Sequence, residues 1–292
     1  MTRFAAQFLR EPDLFPARLA GEAWGEESLD VALPGGPYRI RGLASAQRAS
    51  LADRYGDVAT GTTFDVDVFR APREDFRDVD TRGWNYLLDF DTTPSAIAIA
   101  GLRLMARIDL DANRAAIWTP VDDAIETWGV IENVLRPLVA VRLLLTGGLL
   151  VHSAAVGGTL FAGASGAGKS TIARLAIDAK QPVLSDDLNA IDANRMLVPL
   201  PFTGDLERHE LSEIAVPLTR IAKLEKGERD GLRAMSVAET VSLLVASAPY
   251  VNRDPHRMPL LVERAAELAA STRRSILTFR RDGDPWPILA GP

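Results

Sequence analysis

Residues 163–170 read Gly-Ala-Ser-Gly-Ala-Gly-Lys-Ser, and few octapeptides restrict a chain more. The pattern G-x-x-x-x-G-K-[ST] calls for a strand that ends at the first glycine and a helix that starts near the lysine. Both flanks comply. Thr159-Leu160-Phe161-Ala162 is a short buried-strand pattern, and Ile172, Leu175 and Ala176 have helical spacing. Glycines let the backbone amides of such a loop turn inward on phosphate oxygens. Lys169 then reaches the β- and γ-phosphates, the Ser170 hydroxyl can sit on Mg²⁺, and the positive end of the helix favours the same anion. The expected nucleotide contacts are Gly163, Ala164, Ser165, Gly166, Ala167, Gly168, Lys169, Ser170 and Thr171.

Two features flank this loop. Upstream, 150-LVHSAAVGGTLFAG-163 sets Gly157-Gly158 between two apolar runs, a strong hairpin signal. It predicts a strand antiparallel to the loop-bearing one. Ordinary P-loop domains instead begin on the loop-bearing strand and continue by parallel crossovers. His152 lies in that partner strand, where spacing alone fits a core histidine as well as a site residue. Downstream, the apolar strand 183-VLSDDLNAI-191 delivers Asp186 and Asp187. In phosphoryl transfer one carboxylate can orient Mg²⁺ while another accepts the proton of the attacking hydroxyl. Neighbouring strand residues face opposite ways, so the two aspartates share a job only where the strand ends between them. A strand-end turn or a helix cap is the structural alternative.

The remainder is organised as two regions. Residues 1–121 read as a β-rich N-terminal lobe of strands and turns, with strands at 62–70, 84–90, 95–100, 102–109 and 115–119. Trp24, Tyr38, Tyr55, Trp84, Tyr86 and Trp118 can furnish its core. Residues 122–292 begin with a helical pattern to residue 145, which Asp122 or Asp123 can cap and Pro137 is expected to kink. Its apolar positions are Ile125, Trp128, Ile131, Val134, Leu135, Leu138 and Val139. Strands then follow at 149–156, 159–163 and 182–186 around a helix at 169–179. A polar connection leads to a strand at 217–225, helices at 236–247 and 257–271, and a strand at 275–281. The fold expected for this half is α/β, a mixed sheet with helices packed on it.

Composition narrows the class of partner. The 292 residues carry 33 basic and 39 acidic side chains, a net charge of −6, so no nucleic-acid footprint is expected. No cysteine is present, which rules out disulfides and thiolate metal sites and fits a reducing compartment. Charged Arg3, Arg10, Glu11 and Asp13 fall where a signal peptide would be apolar. The most lipid-like stretch, 131–156, is broken by Arg136, Pro137, Arg142 and Gly147-Gly148, so it reads as buried helix plus strand. A cytoplasmic protein with no membrane partner is the expectation.

His152, the Gly-Gly hairpin, Gly-Ala-Ser-Gly-Ala-Gly-Lys-Ser-Thr and Asp186-Asp187 together resemble the catalytic domain of HPr kinase/phosphorylase and its relatives. That domain shares its fold with phosphoenolpyruvate carboxykinase. The resemblance covers residues 149–192 at the level of motifs and continues more weakly through 199–207, 217–228 and the C-terminal helices. It implies an ATP- and Mg²⁺-dependent kinase acting on a hydroxyl, typically a serine of a protein or peptide. It also implies catalytic roles for Lys169, His152, Asp186 and Asp187, metal ligation by Ser170, Asp186 and Asp187, and, since relatives form oligomers, room for a homo-oligomer. The family's Gly-rich signature after the aspartates is absent, and Pro201-Phe202-Thr203-Gly204-Asp205 stands in its place. That turn can close over acceptor or nucleotide, or serve as a plain β-turn. Arg208, Arg220, Lys223, Lys226, Arg273, Arg274, Arg280 and Arg281 are the cations available to neutralise transferring phosphate.

Other readings make different demands. A small-molecule kinase of the ordinary P-loop class needs a parallel sheet with the loop-bearing strand first and an Arg-rich lid; 206–213, with only Arg208, is a poor one. A transporter-type ATPase needs an S-G-G-Q-like signature and an apolar strand ending Asp-Glu, and neither is present. A nucleotide-binding regulator would keep Lys169 without requiring both aspartates.

Overall fold

A computed structural model of the chain describes residues 3–12, 21–58, 61, 64–76, 88–121, 123–202 and 204–289. Residues 62–63, the start of the expected strand at 84–90 with Trp84 and Tyr86, Asp122, Thr203 and the Ile125 side chain lie outside them. The chain divides into two units, Met1–Leu138 and Val139–Pro292.

In the first unit the described elements are α1 (Arg3–Arg10), β1 (Glu27–Val31), β2 (Tyr38–Leu43), α2 (Ser45–Tyr55), β3 (Phe64–Arg70), β4 (Asp89–Thr92), β5 (Ala96–Gly101), β6 (Leu104–Asp109) and β7 (Arg114–Thr119). The strands form a mixed sheet in the order β1-β2-β3-β7-β6-β5-β4, parallel at β2–β3 and β3–β7 and antiparallel elsewhere. Alternation drives this: Val66 and Val68 on β3, and Tyr38 and Ile40 on β2, are fully buried. A cluster of Phe8, Phe76, Ala98, Met105 and Trp118 closes one part of the core.

Two helices correct the expectation of strands and turns here. The buried residues of α2 are Gln47, Leu51 and Tyr55, a stripe one residue wide at four-residue spacing, too thin to read as amphipathic periodicity. A third helix, α3 (Ala124–Leu145), runs unbroken through Pro137. The Asp123 carboxylate caps it by accepting from the Glu126 amide at 2.9 Å. Tyr55 and Arg54 of α2 reach Glu132 of α3 at 3.0 and 2.9 Å, and Arg136 bonds the same carboxylate at 2.6 Å. No helix among the described residues is long and apolar enough to cross a membrane, and 131–156 forms the end of α3 and the next strand.

The second unit contains β8 (Leu149–Val156), β9 (Thr159–Ala162), α4 (Lys169–Asp178), β10 (Val183–Ser185), β11 (Leu188–Ile191), β12 (Met196–Val198), β13 (Val216–Pro217), β14 (Arg220–Lys226), β15 (Gly231–Ala234), α5 (Val237–Ser247), α6 (Met258–Ser271), β16 (Arg273–Phe279) and α7 (Trp286–Leu289). Its sheet runs β13-β12-β11-β8-β9-β14-β16-β15, with β10 also on β8. The expected hairpin is present: β8 and β9 are antiparallel, with Val156 opposite Thr159 across Gly157-Gly158. From β9 the sheet continues parallel through β14 and β16. The architecture is therefore α/β with mixed sheets.

Ile172, Ala173 and Ala176 of α4 pack on Ala154, Val156, Phe161, Ala222, Leu224, Leu277 and Phe279. These sheet residues share one parity along each strand, so α4 covers one face. α5 packs on β8, β9 and β14 and pairs with α6, contributing nothing to that cluster, which places the pair on the opposite face. β11 is the second half of the apolar stretch 183–191, the expected polar connection holds β12 and β13, and β15 is a further short strand. Strands of two to four residues are too short to show a period.

Candidate functional site

β9 ends in the sheet at Ala162, and the chain turns through Gly163–Gly168 into the first turn of α4. The Ala167 amide donates to the Ala164 carbonyl at 3.0 Å, closing the loop. Gly168 has φ +109°, and a Cβ there would stand 2.7 Å from the Phe279 ring, so both backbone and space require glycine. Gly166 has φ +75° with nothing within 4 Å of where its Cβ would be. The loop thus presents an open mouth, with Ala164 and Ser165 exposed beside it, to the positive end of α4. Thr171, half-buried, follows in the first turn.

Lys169 folds back over this loop, with Nζ donating to the carbonyls of Gly163 at 3.3 Å and Ala164 at 3.5 Å. It is nearly buried. Burial pushes its pKa below the ordinary lysine value, against the opposing pull of Asp187.

The two aspartates do not lie within a strand, contrary to the sequence expectation. β10 stops at Ser185, whose hydroxyl accepts from the Asp187 amide at 3.1 Å, a local turn that competes with the ladder. The Ser153 amide still donates to the Asp187 carbonyl at 2.9 Å, and β11 resumes with Leu188 opposite His152. The break lets the two carboxylates take different surroundings. Asp186 is 4% exposed and has no hydrogen-bond partner among the described residues. The Asp187 side chain is 32% exposed, and its Oδ1 lies 3.4 Å from His152 Nε2. Beneath them, buried Asn189 donates to the Ser153 carbonyl at 2.7 Å and hydroxyl at 3.1 Å, locking β11 to β8 beside the histidine.

His152 shares the α4 face of its strand with Ala154 and Val156. Its side chain is 46% exposed, yet partial desolvation by its neighbours and the positive charge of Lys169 lower its pKa below the usual imidazole value, while Asp187 and Asp186 pull it the other way. Of the sequence-expected residues, Lys169, Asp186 and Asp187 all act electrostatically on His152, and Asp187 also acts on Lys169.

A fifth group was named only as part of a turn. Ser170 Oγ donates to Asp205 Oδ2 at 3.2 Å. Gly204 sits so close to the aspartates that a Cβ would fall 2.5 Å from Asp186 Oδ1 and 3.2 Å from the Asp187 Cβ. The only signal was the Gly-Asp pair after buried Phe202, which any β-turn could carry.

The cations distribute unevenly. Arg220 lies opposite Thr159 and Arg273 in the sheet, at the hairpin end of β9, away from the loop. There it lines a cavity of about 760 Å³ with Gly157, Gly158, Phe161 and Trp286. Lys223 is tied to Glu225 at 2.8 Å, Arg208 approaches Glu213 at 3.8 Å, and Arg274 bonds the carbonyls of Ala269 and Thr272. Lys226, exposed, lies opposite Phe279, the residue that packs on Gly168. Arg280 and Arg281 follow directly after β16 at that same end and are also exposed.

No group of three or more His, Cys, Asp or Glu side chains among the described residues is gathered closely enough to hold a metal unaided. Magnesium seldom uses such cages: it takes one or two protein carboxylates, and phosphates and water complete the shell. Asp186, buried and without a hydrogen-bond partner among the described residues, and the Ser170 hydroxyl suit that arrangement. No protein-family model matches the chain, and no curated protein matches it.

Proposed function

We propose that this protein is an ATP- and Mg²⁺-dependent kinase, related to the HPr kinase/phosphorylase group, that transfers the γ-phosphoryl group to a hydroxyl, most simply a serine of a protein or peptide. The observation that carries the reading is the convergence of Lys169, Ser170, Asp186, Asp187 and His152 at the mouth of one glycine loop. Antiparallel β8 beside the loop-bearing strand further favours this fold over the ordinary P-loop class.

The loop amides, the N-terminus of α4 and Lys169 bind the phosphates. Ser170 and Asp186 would hold Mg²⁺, which when bound neutralises charge on the phosphate oxygens. Asp187, the more exposed carboxylate, faces the acceptor as general base, and neutral His152 orients it. The acceptor oxygen forms its bond to the γ-phosphorus as the bond from that phosphorus to the β–γ bridging oxygen breaks. The hydroxyl proton passes to Asp187, and ADP leaves.

Purified protein incubated with γ-labelled ATP, Mg²⁺ and a serine-peptide library or host lysate tests the reading. Labelling of a hydroxyl is expected, and it should fall about 100-fold or more in Lys169→Ala and Asp187→Asn, the scale of losing a charge stabiliser or a base. Labelling that persists in both variants would sink it.

A further inference from the structure

The contact between Ser170 and Asp205 spans 35 residues of sequence and places a negative charge beside a loop built for anions. Left bare, an exposed carboxylate there would repel phosphate. The direction of the bond removes the difficulty. Ser170 Oγ is the donor and Asp205 Oδ2 the acceptor, so the hydroxyl proton points at the turn and both oxygen lone pairs remain for a cation. A hydroxyl ligand whose one hydrogen goes to a carboxylate is held in orientation and made a better electron donor.

The turn is seated independently of this bond. Gly204 presses on Asp186 Oδ1 at a distance no Cβ would tolerate, and Phe202 is buried behind it. The same short segment therefore touches both groups that suit a magnesium ion, Ser170 through Asp205 and Asp186 through Gly204. Asp205 is only 3.2 Å from the hydroxyl, whereas the buried Asp186 carboxylate has no such partner among the described residues.

We propose that Asp205 is a positioning residue for the cation: it accepts the Ser170 hydrogen bond, aims the hydroxyl oxygen at the metal and offsets the metal's charge without touching the ion. This rests on the nucleotide reading above and gives a specific role to a residue outside the glycine loop and the Asp186-Asp187 pair.

The test is binding of the fluorescent nucleotide mant-ADP, measured with Mg²⁺ and again with EDTA, with Mn²⁺ titration of the complex by paramagnetic resonance as a direct metal readout. Asp205→Ala is expected to weaken metal-dependent nucleotide affinity and Mn²⁺ affinity about tenfold, the lower end of the losses seen when a group that orients a metal ligand is removed, with EDTA binding unchanged. Asp205→Asn, nearly isosteric and with an acceptor oxygen retained, should lose less and covers the case in which the alanine variant fails to fold. Ser170→Ala combined with Asp205→Ala should be no weaker than Ser170→Ala alone, because Asp205 acts through that hydroxyl. Equal losses with Mg²⁺ and EDTA, additive losses in the double variant, an unaltered Asp205→Ala, or tighter binding by it would each overturn the proposal while leaving the nucleotide reading standing. A native protein that binds mant-ADP under neither condition would overturn that reading and this inference with it.

Discussion

The imidazole of His152 lies in a field with two signs, and its titration reports on the whole site. Burial and Lys169 lower its pKa while Asp187 and Asp186 raise it, with the lowering dominant. The folded value therefore lies below the free-imidazole value of about 6.5. The unfolded chain binds the proton more readily, so any stability linked to this group is present above that value and is lost as pH falls towards the folded pKa. Proton NMR of the histidine ring, assigned with His152→Gln, should give a midpoint below the ordinary one. Lys169→Met should move the midpoint up and Asp187→Asn should move it down. Either shift with the opposite sign would show that these groups are not neighbours in solution. Lys169, Ser170 and the aspartates could be named from spacing because each belongs to a contiguous motif. Asp205 could not, since its meeting with Ser170 depends on how a distant turn packs.

The junction of β9, the loop and α4 shows how one element constrains another. Gly168 must adopt φ +109° and leave room for the Phe279 ring at the end of β16. Gly168→Ala imposes a left-handed backbone on a residue with a side chain and drives that side chain into the ring. A loss of about 1–3 kcal/mol in urea denaturation is expected, as for other strained residues, together with weakened nucleotide binding. Unchanged stability would mean that the loop can relax without cost. Elements with long, clean periods could be read directly: β8 and the α5–α6 pair fall within a residue of their expected limits. The strand expected at 182–186 ends one residue early and leaves both aspartates outside it: the apolar pattern runs on through 183–191 while the Ser185 hydroxyl turns the backbone out of the ladder between β10 and β11. A side chain–backbone bond of that kind leaves no mark on hydrophobic periodicity.

Each unit has its own buried cluster, so on the proposed reading nucleotide should stabilise only the unit that carries the glycine loop. At about 100 times its Kd, Mg·ADP should add about 2.7 kcal/mol to residues 139–292. Scanning calorimetry is expected to resolve two transitions, of which nucleotide moves one, and Lys169→Ala should abolish that shift. A single transition moved as a whole would show that the units unfold together. The glycine loop, the Gly-Gly hairpin and the apolar alternation of β8 and β9 could all be specified from the chain alone. Each is set by neighbours a few residues apart, whose sterics and periodicity hold whatever the rest of the molecule does. Tertiary structure decided the order of the nine-stranded sheet and the arrival of Asp205 at Ser170. Those outcomes depend on which faces bury together across long stretches of chain, and packing of that kind is not encoded in any local window.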